Sequence, residues 1–197
     1  LSDAPSRPLQ AKDWQLLRDA GVRIVRENGG NNATKYNWRL KLGSHPDWYN
    51  NVYPHDWDFA AGSLLQHAPG VQGMWALGLI GKAASSSAHN FDDWGYNNSQ
   101  WWAGVSNNWA GGGGPLSGNG NPSLYLKEWP ADSVVAILDH WFGANGLGLD
   151  SRQFLYWNMD NEADIWSGTH DDVMPVQPDI EDFIRRYVET AVKARAR

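Results

Sequence analysis

Three short apolar runs recur along the chain, with a helix-like stretch before, between and after them. This alternation narrows the possible folds more than any other feature. The runs are GVRIVREN at 21–28, VQGMWALGLI at 71–80 and residues 153–159. Each is short, rich in β-branched or aromatic residues and bounded by Gly, Asn or Asp, as strands are. Ahead of the first, residues 11–20 place Trp14, Leu17 and Ala20 on one face and end at Gly21, a helix stop. Residues 57–67 and 131–142 predict the next two helices, with Pro130 suited to the first turn of the latter. Pro178 opens a last helix, in which Ile180, Phe183, Ile184, Tyr187, Val188, Ala191 and Val192 form an apolar stripe at helical spacing. Alternation of this kind implies right-handed βαβ units and a parallel sheet.

Two families of parallel sheet compete. A doubly wound nucleotide fold calls for a glycine-rich phosphate loop after a strand. Here GGNNAT at 29–34 lacks the G-x-G-x-x-G spacing and runs into aromatics instead of a helix. The segment after each strand is polar and chemically equipped: RENGGN, GLIGKAA and MDNEADIW. Enlarged loops at strand C-termini are the layout of a (β/α)8 TIM barrel, whose sites lie on that face. Eight βα units take about 250 residues, so 1–197 reads as one partial catalytic domain, roughly the first half of a barrel from its first helix to its fourth. The remaining half is expected as another segment or chain. Residues 29–56 read as loop, and 81–130 as one long ordered loop forming part of a cleft.

Tryptophan usage then points to a ligand. There are 13 tryptophans in 197 residues, and Trp94, Trp101, Trp102 and Trp109 lie among Asn, Ser and Gly. A flat ring beside amides and carboxylates suits a sugar, covering its C–H face while the polar groups bond its hydroxyls. The formal net charge of -6, with basic residues scattered except for Lys193, Arg195 and Arg197, excludes the clustered cations of a nucleic-acid binder. No run of about 18 apolar residues marks a membrane span. Without cysteine there is neither a disulfide framework nor a thiolate metal site. The histidines form no helical H-x-x-x-H pair, and Asp92 and Asp93 lack the spacing of an EF-hand, so no metal or other cofactor is indicated, a structural calcium included.

The third strand ends in YWNMDNEADIWSGTH, residues 156–170. A strand that only filled a core would end in turn residues; this one ends in Asp160, Asn161, Glu162 and Asp164 between Trp157 and Trp166. A carboxyl set against aromatics is pushed toward its neutral form and can give its proton to a glycosidic oxygen. Glu162 is the candidate, with Asn161 placed to bond a neighbouring sugar hydroxyl. The competing reading is a tryptophan-rich glycan-binding protein without catalysis, which explains the rings but not an Asn-Glu pair at a strand end.

DNEADIWSGTH at 160–170, followed by Asp172, Val173 and Pro175, resembles the Asp-Asn-Glu-Pro…Trp…Thr-His…Asp-Val…Pro signature of glycoside hydrolase family 44. RENGGNNATKYNW at 26–38 is similar to the same family's Arg…Gly-Gly-Asn…Thr…Tyr-Asn-Trp stretch. Ala163 stands where that family usually has proline, and Glu27 where it has an aromatic. The resemblance implies an endo-acting, retaining hydrolase of β-1,4-glucans, cellulose-type or xyloglucan, on a (β/α)8 barrel with an accessory β-domain. It implies Glu162 as acid/base and a nucleophilic glutamate outside residues 1–197. Asn161, Asn31, Tyr36, Asn37, Trp38, Trp48, Trp102, Trp166 and His170 are the expected substrate-binding residues. A β-glucan polysaccharide or oligosaccharide is the expected partner, and a secreted, extracellular enzyme the expected setting.

Overall fold

A computed structural model describes residues 3–26, 30–44, 52–88, 90 and 121–197. In chain order its main elements are α1 (Ala11–Asp19), β1 (Ile24–Arg26), β2 (Leu42–Ser44), β3 (Val52–Pro54), α2 (Trp57–His67), β4 (Gln72–Leu77) and β5 (Lys82–Ala84). After these come β6 (Leu126–Glu128), α3 (Ala131–Phe142), β7 (Tyr156–Met159), the one-turn α4 (Trp166–Thr169) and α5 (Ile180–Arg195). Among the described residues no helix is long and apolar enough to cross a membrane.

The three expected strands are neighbours in one parallel sheet of order β1-β4-β7. Val25 pairs with Gly73 in the first ladder; in the second, Trp75 pairs with Trp157 and Leu77 with Met159. A parallel pair with this register puts all three C-termini at one edge, so the loops after β1, β4 and β7 are gathered there by backbone geometry alone.

Local signals fix the helix ends. α1 closes on Gly21 at φ 67°, and the amides of Gly21 and Val22 return to the carbonyls of Arg18 (2.9 Å) and Leu17 (3.1 Å), satisfying groups the helix end would leave bare. Asp56 caps α2 by accepting from the Phe59 amide at 3.0 Å. Asp179 caps α5 by accepting from the Asp182 amide at 2.8 Å. One face of the sheet is dry: Trp14 of α1, Leu64 of α2 and Val135 and Trp141 of α3 bury Trp75 and Phe154 among them. Gly73 makes that fit possible. A Cβ there would stand 2.5 Å from Trp75 Cζ3, 2.9 Å from Leu64 Cδ2 and 3.0 Å from Phe154 Cδ1.

Two expectations need revision. Residues 29–56 are not all loop: Asn31–Ala33 form a 3₁₀ turn, and β2 pairs antiparallel with β3, Gly43 opposite Tyr53. The stretch 81–130 is anchored at both ends by an antiparallel pair, β5 with β6, Ala83 opposite Lys127. Strands of three residues carry too little periodicity to register in a sequence. α5 forms where its stripe predicts a helix, and that stripe is largely uncovered, with Ile180 72%, Ile184 51% and Val192 63% exposed. The helix attaches through buried Thr190 and through Arg186, whose Nη1 donates to the carbonyls of Leu79 (3.2 Å) and Ile80 (3.3 Å).

Candidate active site

β7 leaves the sheet through an unusual turn. Asp160 has φ 67° and Glu162 φ 42°, two non-glycine residues in the left-handed region within three positions. Such conformations cost about 1–3 kcal/mol each and persist where their surroundings over-determine them. The surroundings here are the other two post-strand loops. Asp160 Oδ1 accepts from Thr34 Oγ1 at 2.5 Å and from the Asn161 amide at 2.8 Å; its Oδ2 accepts from the Leu79 amide at 2.5 Å. Thr34 lies after β1 and Leu79 after β4, so one carboxyl ties all three strand ends. Burial outweighs these donors and raises the Asp160 pKa to about 6. Gly78 lets the loops meet, since a Cβ there would lie 2.5 Å from the carbonyl oxygen of Thr34.

Asn161 is held by groups whose roles are unambiguous. The Arg26 guanidinium can only donate, and its Nη2 stands 2.9 Å from Asn161 Oδ1. The amide nitrogen therefore donates in two directions, to Asn31 Oδ1 at 2.8 Å and to Glu162 Oε2 at 3.0 Å. Trp166 Nε1 holds the Asn161 carbonyl from below at 3.2 Å. Glu162 itself is exposed and lines a cleft of about 520 Å³ with Met159, Ala163, Asp164 and residues 177–180 and 183. The enclosure of Glu162 between two tryptophans does not occur: Trp166 is fully buried beneath the turn and Trp157 is half-buried on the helix face of β7. The left-handed backbone at Glu162 leads the chain out into solvent, where an alternating strand extension would have kept it between them.

Other expected site residues are distributed unevenly. Asn31 and Asn161 join Glu162 in one hydrogen-bonded chain. Tyr36 is buried, stacks on Trp57 with ring centroids 3.7 Å apart and donates its hydroxyl to the His55 carbonyl at 2.8 Å. Asn37 is fully buried; its Nδ2 donates to the Ala84 carbonyl at 2.6 Å, and its Oδ1 accepts from the amides of Arg39 and Leu40, both at 3.2 Å. Trp38 is half-buried, donates Nε1 to the Ser133 carbonyl at 2.8 Å and stacks on His140 at 5.0 Å. His170, like Trp166, is fully enclosed. Tyr36, Asn37, Trp166 and His170 thus offer no surface to a sugar here; they hold the frame around the turn. Trp48, Trp94, Trp101, Trp102, Trp109, Glu27 and Gly29 lie outside the described residues.

Arg26, Thr34 and Asp160 join the site without having been expected as members of it. Their signal in the sequence lies in the two family-like stretches, where Arg26, Thr34 and Asp160 all stand at matched positions. A buried ion pair adds a second tie beneath the site. Lys35 Nζ, fully enclosed, lies 2.9 and 2.8 Å from the two Asp172 oxygens, and the Tyr125 hydroxyl donates to Asp172 Oδ2 at 2.5 Å. Among the described residues no group of three or more His, Asp or Glu is arranged to hold a metal ion.

The chain has relatives of known structure. Over residues 43–197 the chain matches the model of glycoside hydrolase family 44. It resembles the crystal structure of CelM2, a bifunctional glucanase-xylanase from a metagenome library, with 25% identity and a TM-score of 0.67 over 93% of this chain and 38% of that one. Its fold is also that of Cel44A, a family 44 endoglucanase from Clostridium thermocellum (15% identity, TM-score 0.60, 89% and 36% covered). A Paenibacillus polymyxa family 44 xyloglucanase is similar to the same degree (15%, 0.57, 87% and 35%). No curated protein matches the chain in sequence. The chain spans little more than a third of the solved structures it matches. The family match takes in the strand-end turn at 160–162 and the two helices beside it, and on that ground the chain belongs to glycoside hydrolase family 44.

Proposed function

We propose that this chain is the first half of a (β/α)8 catalytic domain and that the whole protein is a secreted, retaining, endo-acting hydrolase of β-1,4-glucans, cellulose-type or xyloglucan. The observation that carries the reading is Glu162 standing on a braced turn at the common C-terminal edge of three parallel strands, with its carboxyl open to a cleft and bonded to an oriented Asn161. A TIM-barrel enzyme places its catalytic groups at that edge. Relatives that are named as glucanase, xylanase and xyloglucanase point to the substrate class.

In the proposed mechanism a second carboxylate, from the remaining half of the barrel, faces Glu162 at roughly 5 to 5.5 Å. Protonated Glu162 gives its proton to the glycosidic oxygen as the C–O bond to that oxygen breaks. The second carboxylate forms the new bond to the anomeric carbon. Glu162, now ionised, takes a proton from water, whose oxygen attacks the anomeric carbon and releases the second carboxylate. Asn161, its Oδ1 held by Arg26 and one N–H spent on Asn31, turns its other N–H to Glu162 and so fixes the direction in which the acid is presented. Two carboxylates and water suffice, without a cofactor.

In the full-length enzyme Glu162→Gln is expected to lower hydrolysis of unactivated glucan by roughly 10²–10⁴-fold, the usual contribution of a general acid. Substrate binding should be spared. An activated aryl glycoside should still form the glycosyl-enzyme, and azide should speed its breakdown. Inverted products, or no response to azide, overturn the assignment. Binding without any hydrolysis in the wild-type protein would make it a glycan-binding module instead.

A further inference from the structure

The carboxyl of Asp160 is not part of the proposed chemistry, yet hydrogen bonds hold it to all three strand ends. It is 5% exposed and accepts from three segments at once: Thr34 after β1, Leu79 after β4, and the Asn161 amide in its own turn. Its backbone carbonyl also accepts from Asn158 Nδ2. It occupies a left-handed conformation two residues before another one. An aspartate tolerates that region better than most residues. A glycine would adopt it without strain and is the ordinary choice where only the turn matters. A plain turn would need no side chain here; this turn uses one to grip both neighbouring loops.

We propose that Asp160 is a positioning residue for the acid/base step, a clamp that sets the left-handed turn so that Asn161 holds Glu162 toward the glycosidic oxygen. This rests on the acid/base role proposed for Glu162. The chain of contacts is continuous. Oδ1 of Asp160 fixes the Asn161 amide, which fixes the plane from which Asn161 Nδ2 reaches Glu162 Oε2 at 3.0 Å. On the far side Arg26 and Asn31 hold Asn161 at 2.9 and 2.8 Å, but neither limits rotation of the backbone at 160. Asp160→Asn exchanges the carboxylate for an amide and removes an acceptor at the point where the donors converge. One end of the new amide is NH₂, set against the Leu79 amide on one side or the Thr34 hydroxyl and Asn161 amide on the other.

A positioning role and a merely structural one separate by leaving group. Misplacing the acid slows cleavage of a glycosidic bond that needs a proton, and spares an aryl glycoside whose phenolate leaves unaided. General loosening of the site slows both. In the full-length enzyme Asp160→Asn is expected to lower turnover of unactivated glucan by about 30-fold or more. Burst formation of glycosyl-enzyme from a dinitrophenyl glycoside should change by less than about 3-fold. Thr34→Val deletes one hydrogen bond to that carboxylate and keeps the shape, and should show the same split at about 10-fold; it carries the test if Asp160→Asn fails to fold. Glu162→Gln runs beside them as the reference. If Glu162→Gln splits the two substrates and the other variants slow both equally, or neither, Asp160 is not a positioning residue and the acid/base assignment stands. If Glu162→Gln itself shows no split, the acid/base assignment falls and takes this inference with it.

Discussion

His170 shows how far a residue's type can mislead about its task. A histidine beside the candidate catalytic turn suggests contact with substrate or proton transfer, but this ring is fully buried and, among the described residues, neither nitrogen has a hydrogen-bond partner. Burial first, and then the charge of Lys35, hold its pKa well below the ordinary value, so it is neutral in the folded protein. In the unfolded chain it takes a proton below about pH 6.5. The unfolded state therefore binds more protons as the pH falls through that value, and folding loses stability at up to ~1.4 kcal/mol per pH unit. Asp160 acts in the opposite sense between about pH 4 and 6, because its raised pKa lets the folded state bind the extra proton. Comparing wild type with His170→Leu cancels the Asp160 contribution. Chemical denaturation at pH 7.5 and pH 5 should show the difference moving toward the variant by about 2 kcal/mol; a difference independent of pH would mean that the ring is not kept neutral.

Among the elements, the spacing between β4 and the helices on it is set by a missing side chain. Gly73 lies opposite Val25 in the β1 ladder and under Leu64 of α2, with Trp75 and Phe154 closing over it. All three neighbours are buried and well packed, so none can withdraw cheaply. Gly73→Ala is expected to cost about 1–3 kcal/mol, as overpacked cores do, read as a lower denaturation midpoint with an unchanged slope. A stabilising effect, from reduced freedom of the unfolded chain, would show that the helices can move outward. α2 and α3 are also joined at their solvent edge. Asp58 accepts from Trp141 Nε1 at 2.8 Å and faces His140 Nε2 at 3.0 Å. Burial works against the Asp58 charge, and these partners together with Lys41 outweigh it, holding the carboxyl below its usual range.

Across the molecule, two surfaces are less covered than their composition warrants. Parallel sheets are ordinarily buried on both faces, yet Ile24 and Tyr156, on the face away from the helices, are 48% and 50% exposed. The outward stripe of α5, with Tyr187 and Val188 also near half exposed, is the second. A half-barrel would leave both open, and the solved relatives are more than twice as long. In the complete enzyme Ile184→Asp should then cost about 2–5 kcal/mol, as a charge in a packed helix interface does. A change within about 0.5 kcal/mol, the usual range for a surface position, would show that this stripe stays in water and that the remaining chain packs elsewhere.

Elements with length and punctuation are legible in the chain without its fold. α2 and α3 occupy the stretches their patterns predict, α1 ends at Gly21, and the three apolar runs form one parallel sheet. These rest on local physics: apolar periodicity, capping groups and glycine stops act over a few residues and can be read there. Asn161 and Glu162 stand out for the same reason, because a strand end loaded with polar groups is itself a local anomaly. Membership of the site around them is another matter, settled by folding alone. Tyr36 and Asn37 look like sugar-binding residues in one dimension, yet they are buried and spent on His55 and Ala84. Arg26 and Thr34 belong to a family-like stretch that assigns them no partner, Leu79 belongs to none, and the three converge on Asn161 and Asp160 from 81 to 135 positions away. Burial and hydrogen-bond partnership depend on which segments the fold brings together, and no property of a single stretch encodes that.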